Sequence, residues 1–439
     1  METYAHYGTR PWCRTLKKEV KKDMAQSFFG GIHPHDKKAA TNKKPIEALP
    51  PPAQVVIPMS LHIGAPCRPC VAVGEHVNMG QQIGEMTAYV SAPIHASISG
   101  KVVAVEPRPH FNGTNVLSVV IENDYQDTLD PSVKPVEHPE NLTAQELVEI
   151  VKNAGVVGLG GATFPTHVKI ASGLGKVDTV IVNAAECEPY NTSDHRILLE
   201  YPDQVIGGAK LLARIFGVDK VHVGIEANKL NAAQLLQQRI QEEQAPVVVD
   251  VLHTRYPQGA EKQLCQSITG RQVPPGQLPA AIGCAVFSVD TTAAIWRAVY
   301  QGMPVIRRIV TVSGSGVMEP KNLECRIGTP LRDLLDFCGG VSETTFKLLM
   351  GGPMMGNAQY SADVPVGKCT NAILAFAKDE ERTVEHPTCI RCGKCASVCP
   401  MRLQPLFLYI YQRKGMLAEL ESANVLDCIE CGSCAYICP

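Results

Sequence analysis

Between residues 140 and 305 the chain alternates two hydrophobic periods. Residues 177–183 and 220–225 are strand-length stretches rich in Val and Ile and read as buried strands. Residues 143–152, 202–216 and 230–242 carry apolar side chains at helical spacing, the first behind an Asn/Thr start. This alternation predicts an α/β layer with a parallel sheet. Upstream, after Pro50-Pro51-Pro52, short β-branched runs at 55–57, 72–73, 98–105 and 117–121 are punctuated by Gly, Pro and Asn, which predicts a β-rich module. Residues 306–360 return to short strands and tight turns, with one helix at 330–337. The tail beyond Glu380 is rich in cysteine, with helical stretches at 406–411 and 416–420. Residues 1–23 are polar, basic and aperiodic; they read as a disordered extension, with Met24 as the true start.

At 439 residues the chain is about three domains long. Apolar residues make up 45% and charged ones 19%, the balance of a globular protein. A net charge of −2 gives no electrostatic reason to expect nucleic acid as a partner. No window approaches the ~18 apolar residues of a membrane span, and the start lacks a signal peptide's apolar core. The expectation is a cytosolic chain whose membrane association comes only through a partner. Seventeen cysteines in a reducing compartment argue for metal ligation or redox work, and eight of them lie beyond residue 388.

Those eight form two runs, Cys389-x-x-Cys392-x-x-Cys395-x-x-x-Cys399-Pro400 and Cys428-x-x-Cys431-x-x-Cys434-x-x-x-Cys438-Pro439. Such spacing lets three thiolates wrap one face of an iron–sulfur cube, while the fourth ligates the neighbouring cluster. By that rule Cys389, Cys392, Cys395 and Cys438 hold one [4Fe–4S] cluster, and Cys428, Cys431, Cys434 and Cys399 hold the other. The alternative is a pair of structural zinc sites, but these usually draw two cysteines from each of two loops. The linker between the runs is longer than in compact ferredoxins and its helical stretches predict an α-helical ferredoxin module. Cys67-x-x-Cys70 has no second pair nearby and reads as unliganded thiols. The remaining cysteines read as small buried side chains, with Cys187 the exception by its place in an acidic loop. His33 and His35 read as turn residues.

Gly158-Leu-Gly160-Gly161-Ala-Thr-Phe164-Pro165-Thr-His-Val-Lys169 joins a flexible turn to the start of a helix. It admits two readings, a cradle for an anionic group or a plain tight turn. Asn183-Ala-Ala-Glu186-Cys187-Glu188 follows a buried strand, where α/β sheets place ligands. Solvated loop and capping residues are the alternative.

These two segments resemble the flavin-bearing, NADH-oxidising subunit of respiratory complex I, and Tyr256-Pro-Gln-Gly259-Ala260-Glu261-Lys262 resembles a third motif of that subunit. Residues 73–80 and 91–102 resemble half-repeats of a biotinyl/lipoyl-type barrel-sandwich, without a lysine from 81 to 100 to carry a swinging arm. The layout from Met24 to Pro439 resembles RnfC, a component of the Rnf ion-translocating ferredoxin:NAD⁺ oxidoreductases. It does so through Phe-Phe-Gly-Gly-Ile-His-Pro34, His62-Ile-Gly-Ala-Pro66, Ser91-Ala-Pro93, the Tyr256 motif, Met350-Gly-Gly-Pro-Met-Met-Gly356 and the twin cysteine runs.

The resemblance implies a multidomain α+β chain. A β barrel-sandwich hybrid occupies 24–130, an α/β flavin/NAD-binding domain 135–305 and a soluble-ligand-binding β-grasp domain 306–360. A linker spans 361–379, and a C-terminal α-helical ferredoxin domain with two [4Fe–4S] clusters fills 380–439. The family continues past the last cysteine, which leaves open that the sequence is a fragment. By the same resemblance Gly158, Gly160, Gly161, Lys169, Asn183, Glu186 and Gly259 contact a non-covalent FMN, and Phe164, Glu188 and Glu261 lie near the nicotinamide nucleotide. NAD(H) is the substrate, and no side chain acts as a catalytic nucleophile. The partners are other Rnf subunits, membrane-embedded ones included, with ferredoxin reached indirectly at the cytoplasmic face of the bacterial cell membrane. Three departures matter: Ala185 and Ala260 replace acidic residues of complex I, and Ser288 stands where relatives have Asn. Two rivals remain, a soluble flavin/iron–sulfur corrin reductase of bacterial microcompartments and a non-catalytic electron-relay scaffold.

Overall fold

The computed structural model describes residues 27–378 and 388–439. The extension expected at 1–23 lies outside them. The first described segment supplies β1 (Ile46–Ala48) and β2 (Gln54–Pro58). Six more strands follow: β3 (Arg68–Pro69), β4 (His76–Val77), β5 (Gln82–Glu85), β6 (Ile94–His95), β7 (Gly100–Pro109) and β8 (Asn115–Asn123). They form two small sheets ordered β2-β8-β7-β4 and β3-β5-β6. Val55, Ile57, Ile83, Ile94, Val102, Val119 and Ile121 fill the space between them. Ala72 and Val73, expected in a strand, instead lie in the turn before β4. Val73 is exposed, and Gly74 adopts φ +98° as its N–H reaches Val102 O. A β-branched pair is too short to hold a strand against a glycine that closes the chain.

The central layer contains α1 (Ala144–Asn153), α2 (Thr166–Gly173), β9 (Thr179–Ala184), α3 (Ser193–Glu200), α4 (Pro202–Phe216), β10 (Val221–Glu226) and α5 (Leu230–Glu243). β11 (Val247–Leu252), α6 (Glu261–Thr269), β12 (Cys284–Ser288) and α7 (Val289–Tyr300) complete it. The four strands are all parallel in the order β11-β10-β9-β12. α1 starts on a capping box, with Thr143 accepting the Glu146 N–H and Glu146 reaching back to the Thr143 N–H. α4 carries nine buried positions at helical spacing and ends on Gly217 at φ +66°.

The third layer is a six-stranded sheet built from β13 (Arg307–Ser313), β14 (Lys321–Arg326), β15 (Thr345–Met350), β16 (Asn357–Gln359), β17 (Ala372–Ala377) and β1, with α8 (Leu331–Phe337) beside it. The stretch 361–379, expected as a linker, supplies β17. This run, Ala-Ile-Leu-Ala-Phe-Ala, is buried between β13 and β15. Its apolar side chains complete the core that Val310, Val312, Leu323 and Leu334 begin. β1 comes from the N-terminal segment and closes the far edge, parallel to β14. The tail holds α9 (Lys394–Val398), α10 (Pro405–Arg413), α11 (Leu417–Ser422) and α12 (Ser433–Tyr436).

Candidate functional site

From β9 the connections run outward to β10 on one side, while β12 returns to the other. That reversal opens a crevice at the carboxyl ends of β9 and β12, the usual ligand position in such sheets. Asn183 and Ser288 end these strands as register partners. The glycine loop closes nearby: Gly158 N–H donates to Phe164 O (2.9 Å) and Thr163 N–H to Gly158 O (2.9 Å). A Cβ on Gly160 would stand 3.1 Å from Ser288 Cβ, whereas Gly161, at φ +121°, faces open space. Phe164 is half-buried at the loop's exit into α2.

Three elements hold this loop from behind. The Thr291 hydroxyl on α7 donates to Val157 O (3.1 Å) and accepts the Leu159 N–H (2.8 Å). Arg308 on β13, 2% exposed, donates to Leu159 O (2.6 Å) and Thr370 O (3.0 Å) and pairs with Asp290. Burial alone would raise the Asp290 carboxyl, but Arg308 and Arg297 hold it below the usual range. From the barrel, Ile63 N–H reaches Thr163 O (3.2 Å).

The acidic loop is equally committed. Asn183 Nδ2 donates to Gly259 O (2.8 Å), and Gly259 N–H donates to Cys187 Sγ (3.3 Å). A Cβ on Gly259 would lie 2.4 Å from Ala185 O, so the approach requires glycine. Burial pushes the Cys187 thiol up to about 12. Glu186 Oε1 accepts the Asp194 N–H (2.9 Å) at the start of α3, while Oε2 stands 3.9 Å from Lys38 Nζ without a hydrogen-bond partner among the described residues. Glu188 Oε2 accepts the Met354 N–H (3.0 Å), and burial raises its carboxyl to about 7. Lys169 Nζ pairs with Glu261 Oε1 (2.7 Å) and donates to Val286 O (3.0 Å). The ten residues expected around the flavin and the nicotinamide nucleotide come from three segments, 158–169, 183–188 and 259–261, that meet at one end of the sheet.

In the tail the two runs fold alike. Arg391 N–H donates to Cys389 Sγ and Glu430 N–H to Cys428 Sγ, both at 3.4 Å. Arg391 and Glu430 take φ +58° and +53°, followed by Gly393 and Gly432 at +74° and +73°. Burial raises the Cys434 and Cys399 thiols, and both also feel the charges of Cys431 and Cys428. Cys399 of the first run therefore stands within electrostatic reach of Cys428 and Cys431 of the second. Cys67 and Cys70 diverge, their thiols donating to Ala92 O (3.2 Å) and Gln82 O (3.5 Å).

Comparison with known proteins follows the same division. Residues 26–126 match the RnfC barrel sandwich hybrid domain, 151–297 the Nuo51 FMN-binding domain, 309–358 the SLBB domain and 383–439 the 4Fe-4S dicluster domain. The C component of the Na(+)-translocating ferredoxin:NAD(+) oxidoreductase complex of Acetobacterium woodii is 48% identical over 402 residues, 91% of this chain and 90% of that protein. The chain belongs to the RnfC family. The C component of the proton-translocating ferredoxin:NAD(+) oxidoreductase complex of Clostridium ljungdahlii is 46% identical over 92% of this chain and 88% of its own length. Its counterpart in the ion-translocating oxidoreductase complex of Vibrio cholerae is 39% identical over 94% of this chain, which spans 54% of that longer relative.

The residues of this RnfC-family chain fit both cofactors. Two all-thiolate runs with N–H···S bonds suit iron–sulfur cubes. Gly161 faces free space and Glu186 Oε2 and Glu188 Oε1 are buried acceptors without partners among the described residues, so the crevice has unused polar capacity. The departures have local reasons. Ala185 packs with Ile181, Leu252 and Leu264, so core contact takes the place of a carboxylate. Ala260 starts α6 without a side-chain cap. Ser288 caps α7 by accepting the Thr291 N–H (3.4 Å). Sequence reasoning missed Thr291 and Arg308. The Ser-x-x-Thr start of α7 was a legible signal for the first; nothing local marked the second.

Proposed function

We propose that this chain exchanges electrons between NAD(H), an FMN seated in the β9/β12 crevice and two [4Fe–4S] clusters, as the RnfC component of a membrane-bound ion-translocating ferredoxin:NAD⁺ oxidoreductase. One loop carries this reading. Residues 256–259 meet the crevice through Asn183 (2.8 Å) and a cluster ligand through the Tyr256 hydroxyl on Cys431 O (2.7 Å).

When bound, FMN supplies the exchange between the electron pair of NAD(H) and the single electrons of iron–sulfur clusters. The chain's own work is placement. Gly158, Gly160 and Gly161 leave loop backbone open to an anionic group, and Lys169, steadied by Glu261, adds positive charge beside it. Asn183 and Gly259 set the crevice wall, and Glu186 joins it to α3. Phe164, Glu188 and Glu261 flank the nicotinamide side. No side chain acts as nucleophile; the gain comes from orientation and exclusion of water. Cys389, Cys392, Cys395 and Cys438 hold one cluster, and Cys399, Cys428, Cys431 and Cys434 the other.

Among the described residues no helix is long and apolar enough to cross a membrane. Peripheral attachment at the cytoplasmic face through membrane-embedded partner subunits, with ferredoxin reached through them, rests on the likeness to C components of ion-translocating complexes. The test is anaerobic purification, flavin extraction, iron and acid-labile sulfide assay, and titration with NADH. The expected outcome is bound FMN, equal iron and sulfide, and bleaching of the cluster absorbance by NADH. Protein that contains neither flavin nor NADH-reducible clusters refutes the proposal.

A further inference from the structure

Tyr256 is 1% exposed, and no part of the nicotinamide or flavin chemistry accounts for it. Its hydroxyl donates to the carbonyl of Cys431 at 2.7 Å. Its backbone pairs with Ile32 in both directions, Ile32 N–H to Tyr256 O at 2.8 Å and Tyr256 N–H to Ile32 O at 2.9 Å. Three residues on, Gly259 is locked to Asn183 and Cys187 of the acidic loop. A single rigid stretch therefore spans from the flavin crevice to one cluster ligand.

The surroundings are dry and close. Ile32, Tyr256 and Cys431 form a buried apolar cluster, with Cys187, Met354 and Val398 packed against it. Two glycines bring the N-terminal strap against the tail: Gly31 N–H donates to Val398 O at 2.7 Å, and a Cβ on Gly30 would lie 2.7 Å from Val398 O and 2.8 Å from Cys399 C. A Cβ on Gly31 would strike Tyr256 O at 2.7 Å. On the other flank Gly432 abuts Met354 O, a Cβ there standing 3.2 Å away. Cys431 and Cys399 are the two buried thiols among the eight, and both touch this contact; Cys389, Cys392, Cys428 and Cys438 are exposed.

Resting on the proposed function, we infer that Tyr256 is a positioning residue for electron exchange between the flavin crevice and the cluster held by Cys399, Cys428, Cys431 and Cys434, which is the proximal one. Each exchange moves one electron, from flavin reduced by NADH to that cluster or back. No bond forms or breaks, and the Tyr256 phenol keeps its proton, because it donates to a buried carbonyl. The hydroxyl fixes the Cys431 backbone, and the ring keeps water out of the gap.

The test compares Tyr256→Phe, Tyr256→Leu and Gly31→Ala with wild type in the full chain, prepared anaerobically. Tyr256→Phe keeps the ring and loses the hydrogen bond. Gly31→Ala disturbs the same contact without touching the phenol. Flavin, iron and sulfide content should match wild type. EPR-monitored redox titration of Tyr256→Phe should shift the midpoint of one cluster only, the one whose signal is lost in Cys434→Ser. Stopped-flow reduction by NADH should slow on the order of tenfold or more in Tyr256→Leu and Gly31→Ala, while reduction by dithionite keeps its wild-type rate. Unchanged midpoints and unchanged NADH-driven rates in all three variants overturn the role of Tyr256, as does a shift confined to the other cluster. If wild type itself is not reduced by NADH, the underlying functional reading fails and takes this inference with it.

Discussion

Replacing Arg308 by methionine tests how the glycine loop is held. The guanidinium is 2% exposed and spends its donors on Leu159 O, Thr370 O and Asp290. Methionine fills much of the volume but satisfies none of these groups. Leu159 and Thr370 are themselves buried, so their carbonyls gain no water in exchange. Among the described residues Asp290 then keeps its ion pair with Arg297, at 2.8 Å. Removing one partner of a buried ion pair costs about 3–5 kcal/mol, much of it from the charge left behind. For a domain of this size that lowers the unfolding midpoint by roughly 10 °C. The loss should centre on Leu159, which lies between Gly158 and Gly160, so bound flavin should be released before the domain unfolds. The assay is differential scanning calorimetry alongside flavin fluorescence on one sample. Arg308→Lys should fall between the two, since an ammonium keeps the charge but not the fork. A melting curve for Arg308→Met within about 1 kcal/mol of wild type, with flavin retained, would refute the reasoning.

Three other outcomes follow from the same geometry. Thr291→Val removes the hydroxyl that grips Val157 O and Leu159 N–H, so flavin affinity measured by fluorescence should fall about tenfold, from roughly 1–2 kcal/mol of lost bonding. Glu188 has its carboxyl raised from 4.5 to about 7 by burial, so its contribution to stability is complete below about pH 4.5 and fades as pH rises toward 7; thermal melts of Glu188→Gln should lose at most about 3 kcal/mol of that slope, and an unchanged slope would count against it. Cys399→Ser should remove the same EPR signal as Cys434→Ser, and Cys438→Ser the other; loss by run instead of by crossed set would break the ligand assignment.

The dicluster domain was legible because cubane ligation is local: in each run three of four cysteines sit within seven consecutive residues, and that spacing is itself the signal. The α/β layer was legible for a similar reason. Helical and strand periods are written along the chain, and α4 begins and ends where the apolar pattern does. The residues proposed for the flavin came from motif resemblance, which supplies positions but not partners. It could not tell that Glu188 lies under the Met354 loop, with a Cβ on Gly352 only 2.2 Å from its carboxylate. That contact explains a glycine in the Gly351-Gly352-Pro-Met-Met-Gly356 string.

The amino-acid order alone thus determined the redox chemistry, the layer types and the glycines that permit close backbone approach. Tertiary structure decided which segments complete which layer. β1 joins a sheet whose other strands begin some 260 residues later, and β17 fills a stretch that reads as connection. It also decided the links that make one machine of four domains, Arg308 to Leu159 across 149 residues and Tyr256 to Cys431 across 175. Local propensity and spacing act over one or two turns of chain. A buried donor is paired by whatever the packed fold brings within 3 Å, and no local pattern along the chain records that.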